Sequence, residues 1–473
     1  MAPKFGTSGL RGLVAELTDD LCARYLRAFL RASGTERGVL MLGGDLRPST
    51  PRLMAAAAGA AADLGWQVVD CGALPTPALA LAAARRGAAA VMVTGSHIPA
   101  DRNGLKFYMP GGGEITKEDE TAIVAGLEAE GAALRPAAGA EGGSTGSDGG
   151  AALRSYAARY VDHYGPRALE GLRIGVYEHS SVARDLLHEV LAGLGAATRS
   201  LGRSDGFVPV DTEAVDPATR ARLADWAAAG DLDAVVSTDG DADRPLVADG
   251  TGWVIPGDIL GALTARALGA GAAVTPVSSN SMLEALVPAV RRTRIGSPYV
   301  IAGMEAARSA SPRVAGFEAN GGFLLGFEVP GAGGGAPLAP LPTRDALLPI
   351  LAPLEAARAA GRSLAGLVAD LPARRTAADR LEGVAPETGR ALVADLAGSA
   401  PARAVLFAEF GPEAHCDLTD GLRLRFASGL AVHLRPSGNA PELRCYAEAG
   451  SEAEAEAAMR ATLARLAARL KTG

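Results

Sequence analysis

Residues 89–106 read AAVMVTGSHIPADRNGLK, an apolar run that ends in a polar loop. The run over 89–94 contains β-branched residues and no charge, which predicts a buried strand. Gly95 permits an unusual backbone, which would leave the hydroxyl of Ser96 exposed at the carboxyl end of that strand. Ligands collect at this edge of α/β sheets, so Ser96 is a candidate site residue.

The residues after the serine add an imidazole and an amine to the same loop. His97 is adjacent, and Asn103-Gly104 predicts a tight turn that returns Lys106 toward Ser96. An ordinary polar turn explains the segment equally well when it is taken alone. Arginine is the usual cation of this chain, and its only lysines are Lys4, Lys106, Lys117 and Lys471.

Strands and helices alternate on both sides of this loop. The sequence predicts strands at 39–42 and 67–69 and helices at 51–64 and 78–86. The pattern restarts with a strand at 172–177, a helix at 183–194 and a strand at 234–237. It restarts again with a helix from 258, a strand at 273–276 and a helix from 282. Such alternation predicts α/β units with largely buried sheets.

The C-terminal part has a different pattern. A Gly/Pro-rich loop at 330–342 precedes a predicted helix at 344–359, and strands at 422–426, 430–434 and 443–447 precede a helix at 452–470. Residues 131–150 are rich in Gly, Ala and Ser and predict a linker or surface loop. The sequence therefore predicts three successive mixed α/β domains, at 1–150, 151–250 and 251–365, and a smaller α+β domain at 366–473.

Composition excludes several classes of protein. The 473 residues carry 46 basic and 53 acidic side chains, a net charge of -7, which disfavours a nucleic-acid or membrane partner. No secretory signal and no apolar run of membrane-spanning length are evident, so a cytoplasmic protein is predicted. The cysteines are scattered without a CxxC pair, which argues against disulfides and zinc: Cys22, Cys71, Cys416 and Cys445.

Residues 239–244 read DGDADR and directly follow the strand at 234–237. Three carboxylates at i, i+2 and i+4 project to one side if the backbone is extended. Three like charges this close are costly without a cation, and Mg²⁺ prefers such hard oxygen ligands. A calcium loop of the EF-hand type is excluded, because its Gly and Glu positions hold Arg244 and Gly250. A solvated acidic turn is the open alternative.

Three further segments carry polar residues on glycine-rich turns. Residues 316–322 read GFEANGG, and their Glu318 and Asn320 suit paired sugar hydroxyls. Residues 435–444 read RPSGNAPELR, a plausible phosphate cradle built on Arg435. Residues 4–12 read KFGTSGLRG and carry Arg11. Each segment alone is equally compatible with a plain loop.

In this order the five segments resemble the α-D-phosphohexomutase superfamily, specifically the phosphomannomutase/phosphoglucomutase group. Its pattern has an FGTSGxRG-like segment, a TxSHNP serine loop, a DGDGDR metal loop, a GExSG sugar loop and an RxSxTxP phosphate loop. The resemblance spans most of the chain, with one motif in each predicted domain. It implies four domains around a central cleft.

The resemblance also implies residue roles. Ser96 would be a phosphoserine, beside His97 and Arg244, and Arg11 and Lys106 would face the reacting hydroxyl. An oxygen on phosphorylated Ser96 would bind Mg²⁺ together with Asp239, Asp241 and Asp243. The substrate would be bound by Glu318, Asn320, Arg435, Ser437, Gly438 and Asn439.

This chain departs from the family pattern at several positions. Ile98 stands where the serine loop has Asn, and Ala242 replaces the second glycine of the metal loop. Gly322 and Ser297 stand where many members carry a histidine that is a candidate proton carrier. Lys106 is therefore predicted to be the general base, since an amine can lose its proton and a guanidinium cannot. Asn320 and Asn439 replace the usual Ser and Thr.

The implied activity is interconversion of hexose 1-phosphate and hexose 6-phosphate through a phosphoserine and a bisphosphate. Phosphomannomutase is predicted first, and phosphoglucomutase or a dual activity second. Phosphoglucosamine mutase is less favoured, because that branch has GTDGxRG where residues 6–12 read GTSGLRG. A non-catalytic sugar-phosphate-binding protein is the alternative of another class. Mg²⁺, a hexose 1,6-bisphosphate activator and a monomer or dimer complete the prediction.

Overall fold

The computed structural model describes residues 3–6, 9–129, 145–436 and 441–472. The first unit is a seven-stranded mixed sheet in the order β1-β2-β6-β5-β3-β4-β7. Its elements are β1 (Lys4–Phe5), β2 (Leu10–Leu13), α1 (Asp19–Ala32), β3 (Val39–Gly44), α2 (Thr50–Asp63), β4 (Gln67–Ala73), α3 (Thr76–Arg86), β5 (Ala89–Val93), β6 (Arg102–Tyr108), α4 (Lys117–Ala129), β7 (Thr145–Ser147) and α5 (Ala151–Tyr164).

Strand β5 shows why this sheet is buried on both faces. Val91 and Val93 pack into the core under α1 and α2, whereas Ala90 and Met92 point to the opposite core with α3 and α5. Successive side chains of a strand alternate between faces, so an all-apolar strand needs helices on both sides. The polar loop at Ser96 begins where this apolar strand ends.

The second unit is a five-stranded sheet in the order β12-β11-β10-β8-β9. Strands β8, β9 and β10 are parallel, and β11 and β12 add an antiparallel edge. Its elements are β8 (Arg173–His179), α6 (Arg184–Gly193), β9 (Ala197–Arg203), α7 (Pro217–Gly230), β10 (Ala234–Thr238), β11 (Pro245–Asp249) and β12 (Val254–Ile255).

The third unit is a five-stranded sheet in the order β14-β13-β15-β16-β17, parallel over its first three strands. Strands β16 and β17 are antiparallel additions. Its elements are α8 (Gly257–Ala267), β13 (Ala272–Pro276), β14 (Val290–Thr293), α9 (Ser297–Ala307), β15 (Val314–Phe317), β16 (Phe323–Leu325), β17 (Leu341–Asp345), α10 (Leu347–Ala359) and α11 (Leu364–Ala369).

The fourth unit is an antiparallel sheet in the order β18-β22-β21-β20-β19, with α14 packed on β18 and β22. Its elements are β18 (Arg375–Glu382), α12 (Pro386–Gly398), α13 (Ala400–Leu406), β19 (Glu413–Asp417), β20 (Leu422–Phe426), β21 (Ala431–Pro436), β22 (Glu442–Ala449) and α14 (Glu452–Thr472). The predicted class, three mixed α/β units and one α+β unit, is confirmed. The boundaries at 150, 250 and 365 stay a prediction.

Three predictions of helices and loops need correction. Residues 281–285 form a short 3-10 turn instead of a helix, because Pro288 disfavours helical backbone just beyond it. The helix predicted from Arg344 begins at Leu347, since Arg344 lies on β17. Part of the predicted linker, 145–147, is strand β7, which pairs with β4, and 130–144 lies outside the described residues.

The predicted turn at Asn103-Gly104 lies instead within β6. The chain reverses earlier, where Arg102 N–H donates to Pro99 O at 3.1 Å. Asn103 donates through its side chain to the hydroxyls of Ser49 and Thr50 at 2.9 and 3.1 Å. Gly104 is needed because a Cβ there would lie 2.2 Å from the carbonyl oxygen of Leu10. Lys106 therefore returns toward Ser96 along a strand, not around a turn.

A buried carboxylate ties the third sheet to helix α5. Asp345, at the end of β17, accepts hydrogen bonds from Tyr156, at 2.5 Å, and from Tyr160. All three side chains are buried, and burial raises the pKa of Asp345. Asp345 Oδ1 also accepts from Leu347 N–H at 2.9 Å, so the two phenols complete a set of three donors to this buried carboxyl group.

Tyr156→Phe should lower the free energy of unfolding by about 1–3 kcal/mol, because Asp345 would lose a donor in a site that water does not reach. Tyr164→Phe is the matched control, since the buried Tyr164 hydroxyl has no hydrogen-bond partner among the described residues. Urea unfolding checks both variants. Equal stability of the two would show that the Asp345 contact contributes nothing.

Candidate active site

Ser96 adopts a left-handed backbone conformation with φ 56°, which is rare for a residue with a side chain. Its hydroxyl donates to Asp239 Oδ2 at 2.5 Å and lies 3.3 Å from His97 Nδ1. Thr94 accepts a hydrogen bond from Ser96 N–H at 2.8 Å. Backbone strain of this kind persists only where surrounding contacts impose it, and it concentrates at functional sites.

The contacts that impose this conformation come from Arg47, which sequence analysis did not single out. Its side chain is fully buried, and its Nε–H donates to Asp45 Oδ2 at 3.1 Å. The guanidinium donates to four carbonyls of the serine loop, those of Ser96, Ile98, Pro99 and Arg102, at 2.9, 2.5, 2.7 and 2.9 Å. The available signal was a charged pair, Asp45 and Arg47, directly after the apolar strand at 39–42.

Gly95 has a role that differs from the predicted one. Its φ is not positive, and the unusual backbone belongs to Ser96. A Cβ at position 95 would lie 2.6 Å from Arg47 Cζ. Glycine is therefore required at position 95 because the guanidinium packs against the backbone, and the strained conformation of Ser96 depends on that approach.

The aspartates at 239, 241 and 243 converge because the loop between β10 and β11 is a compact turn, not an extended segment as predicted. Asp239 N–H donates to Arg244 O at 3.1 Å, and Ala242 has φ 56°. All three carboxylates are fully buried, and each offers an oxygen within 4.8 Å of the others.

Lys106 enters this acidic cluster from β6. Its Nζ lies 2.6 Å from Asp241 Oδ2 and 2.5 Å from Asp243 Oδ2. The Oδ1 atoms of both aspartates are buried and accept no hydrogen bond from any described residue. Hard oxygen atoms with unused lone pairs, held beside a third carboxylate, fit a divalent cation. The cluster can therefore bind a metal ion.

Electrostatics in the cluster also favour a cation. Burial first, and then the charges of Asp241 and Asp243, raise the pKa of Asp239 well above its usual range. Each effect disfavours a third negative charge in the same space. A divalent cation would reverse that balance, because it stabilises all three carboxylates in their ionised form.

His97 is a neutral acceptor in this site. Burial, followed by the nearby charges of Arg244 and Arg11, lowers its pKa far below the usual value. Arg244 Nη1 donates to His97 Nδ1 at 3.0 Å. The imidazole therefore orients Arg244 beside the hydroxyl of Ser96.

Arg11 completes the basic side of the site. It lies on β2, opposite Gly104 of β6, and not in a flexible turn. Burial, and then Arg244 and Arg344, lower its pKa to about 10. Like charges depress a pKa only when they are close, so these arginines surround one region.

The predicted sugar loop adjoins the metal loop through Arg344. Its Nη1 lies 3.1 Å from Glu318 Oε2, and its Nη2 lies 2.8 Å from Asp243 Oδ2. Asn320 accepts from Gly322 N–H at 3.0 Å with its side chain. Sequence analysis missed Arg344 because its neighbours resemble the start of the apolar helix that follows.

The phosphate loop is described only in part. Arg435 ends β21, and its Nε lies 3.1 Å from Asp420 Oδ2. Asp420 also accepts from Ile295 N–H at 2.9 Å, which joins the fourth unit to the third. Arg435 is thus held within its own unit. Three predicted ligands lie outside the described residues: Ser437, Gly438 and Asn439.

Four family descriptions match successive parts of the chain. They are Phosphoglucomutase/phosphomannomutase alpha/beta/alpha domain I at 2–133, domain II at 156–252, domain III at 256–374 and the C-terminal domain at 379–466. Together with the four sheets and the serine and aspartate loops, these matches define the class. The chain belongs to the phosphoglucomutase/phosphomannomutase family.

Two curated relatives match nearly the whole chain. A phosphomannomutase of Sinorhizobium fredii is 48% identical over 96% of this chain and 97% of its own. A phosphomannomutase of Salmonella muenchen is 44% identical over 95% of this chain and 93% of its own. A crystal structure of a phosphoglucomutase/phosphomannomutase family protein from Burkholderia thailandensis has TM-score 0.75, with coverage of 98% and 97%. Its identity is 22%, so that likeness concerns the fold alone.

None of the helices described here is long and apolar enough to cross a membrane.

Asp241→Asn should weaken binding of a divalent cation by at least about tenfold, the smallest effect expected when a ligand and not merely its support is altered. Titration calorimetry with Mg²⁺ measures the affinity. Asp205→Asn is the control, because Asp205 is exposed in a loop. Unchanged Mg²⁺ affinity in Asp241→Asn would contradict a cation site at the three aspartates.

Proposed function

We propose that the protein is a phosphohexomutase that interconverts mannose 1-phosphate and mannose 6-phosphate. The observation that carries this proposal is the contact between the strained Ser96 hydroxyl and Asp239, at 2.5 Å, within a buried acidic cluster flanked by cations. The choice of mannose phosphates is supported by the names of the relatives that are 48% and 44% identical.

Ser96 would carry the phosphoryl group between substrates. Its bond to phosphorus breaks as a sugar hydroxyl forms the new bond, and the second phosphate of the resulting bisphosphate later returns to Ser96. Mg²⁺ held by Asp239, Asp241, Asp243 and an oxygen of the Ser96 phosphate would supply compensating charge for the transferring group. Arg244, oriented by His97, would contact the same oxygens.

Lys106 would take the proton of the attacking hydroxyl. Its ammonium holds the Oδ2 atoms of Asp241 and Asp243, which leaves their Oδ1 atoms available to a cation. A cation shared by these carboxylates weakens their hold on the ammonium, because the same negative charge is then divided between two partners. Lys106 is the proposed base because an amine, unlike a guanidinium, can give up its proton.

Substrate binding would involve the first, third and fourth units. Glu318 and Asn320 would accept sugar hydroxyls, and Arg11 would face the reacting hydroxyl. The distal phosphate would be bound by Arg435, Ser437, Gly438 and Asn439. Because both phosphates must visit that site, it must recognise a charge cluster and not one face of the sugar.

A hexose 1,6-bisphosphate activator is expected, since the bisphosphate phosphorylates any Ser96 that has lost its phosphate. Closure of the fourth unit over the cleft would keep water from the phosphoserine. A monomer or dimer, a cytoplasmic location and the lack of a nucleic-acid or membrane partner stay predictions from the sequence.

The test is turnover with Mg²⁺ and a trace of hexose 1,6-bisphosphate. Mannose, glucose and glucosamine 1-phosphates are compared, and mannose 1-phosphate should be converted fastest. Ser96→Ala should lose more than about 1,000-fold in kcat, because the substitution removes the hydroxyl that would carry the phosphoryl group. Ser309→Ala, an exposed serine, is the control.

The outcomes separate the alternatives. Faster conversion of glucose 1-phosphate, abolished in Ser96→Ala, would replace the proposed substrate with glucose phosphates and keep the mechanism. Binding of sugar phosphates without turnover of any of the three would leave a non-catalytic binding protein. Equal turnover by Ser96→Ala and wild type would contradict the phosphoserine.

A further inference from the structure

Arg344 is a buried arginine that joins two loops to which the proposed function gives different tasks. It lies on β17, and only 2% of its side chain is exposed. Nη2 and Nε donate to Asp243 Oδ2 at 2.8 and 3.1 Å, and Nη1 donates to Glu318 Oε2 at 3.1 Å. One planar guanidinium thus contacts a carboxylate of the metal loop and a carboxylate of the sugar loop.

Gly322 is what makes room for this side chain. A Cβ at position 322 would lie 2.8 Å from Arg344 Cδ and 3.0 Å from Cγ. Real Cβ atoms do not approach that closely in a packed interior, so a larger residue there would displace the arginine. Arg344 can therefore occupy its observed position only because residue 322 has no side chain.

Ser297 also lies next to the Arg344 guanidinium. Its hydroxyl lies 3.4 Å from Arg344 Nη1 and donates to Glu114 Oε2 at 2.8 Å. Positions 297 and 322 therefore both adjoin Arg344.

We propose that Arg344 is a positioning residue that couples sugar binding at Glu318 to cation binding at Asp243. This inference rests on the proposed function. A sugar that immobilises Glu318 also immobilises the guanidinium, and the guanidinium holds Asp243 Oδ2 so that Oδ1 stays available to the cation. Less ordering then remains when the second ligand binds, which gives positive coupling. By linkage, the cation must raise affinity for the sugar by the same factor.

Geometry explains why another cation would not serve. A guanidinium presents its donors in a fixed planar fork, and two parts of that fork reach two carboxylates here. In Arg344→Lys a single nitrogen would have to meet both carboxylates from one point, whereas the guanidinium uses Nη1 for Glu318 and Nη2 with Nε for Asp243. Arg344→Lys should therefore keep the charge and lose the coupling.

The experiment measures binding without turnover, in the Ser96→Ala background. Titration calorimetry gives the Kd of Mg²⁺ with and without saturating mannose 1-phosphate. With Arg344 present, the sugar phosphate should lower that Kd by about fivefold or more. In Arg344→Gln and Arg344→Lys the factor should fall to about one. If Arg344 had only a structural role, its substitution would weaken binding of both ligands and leave the coupling factor unchanged.

Two controls isolate the route. Arg313→Gln should keep the coupling factor, because the acceptors of Arg313 among the described residues are the carbonyls of Leu268 and Gly269 in the same unit. Inorganic phosphate has no hydroxyls for Glu318, so any coupling that it shows should be independent of Arg344. The inference would be overturned if the coupling factor for mannose 1-phosphate stayed the same in both Arg344 variants. It would also be overturned if that factor were one in the Ser96→Ala protein with Arg344 intact.

A second variant serves if the Arg344 variants do not fold. Gly322→Ala keeps the arginine but pushes its stem aside, so the coupling factor should fall there as well. An unchanged factor in a folded Gly322→Ala would overturn the inference. Loss of mannose 1-phosphate binding in the parent, with no turnover by wild type, would instead overturn the proposed function itself.

Discussion

The arrangement of this protein depends on three carboxylates, Asp239, Asp241 and Asp243, that are buried within 4.8 Å of one another. Like charges so close are unfavourable unless cations surround them. Lys106 comes from the first unit and Arg344 from the third, and the three aspartates follow strand β10 of the second. Charge neutralisation therefore requires three units to be in place together. This explains how a site can be built from loops that lie far apart in sequence.

A second constraint is backbone strain at Ser96. A left-handed serine costs of order 1–3 kcal/mol and needs a surrounding framework. Arg47 provides it with four hydrogen bonds to loop carbonyls, and Asp45 balances the buried charge. Both constraints act at the same point, because the strained serine donates to one of the crowded aspartates. The position of Ser96, the proposed nucleophile, and the position of the proposed cation site are thus fixed by one connected network.

Sequence reasoning predicted much of the scaffold and the groups that the structure brings together in the candidate site. The alternation of strands and helices, the serine loop and the aspartate loop could be found because their signals are local. The roles of Arg47 and Arg344 could not, since their partners lie 49 and 101 residues away. The charged pair Asp45 and Arg47 after the strand at 39–42 is a local signal, but it does not identify those partners. The sequence explains Gly95 and Gly104 by local backbone conformation. In the structure, Gly95 is needed because the Arg47 guanidinium packs against it, and Gly104 because the neighbouring strand passes close to it. Local patterns predict elements and candidate groups, and long-range contacts decide what those groups do.

The central claim is that Ser96 carries the phosphoryl group through each turnover. The most direct measurement is to incubate the wild-type protein with radiolabelled hexose 1,6-bisphosphate and Mg²⁺, map the labelled peptide, and chase with unlabelled mannose 1-phosphate. The account predicts label on the peptide that contains Ser96, and loss of that label at a rate no slower than turnover. Label on another residue, or label that stays on Ser96 through many turnovers, would contradict it.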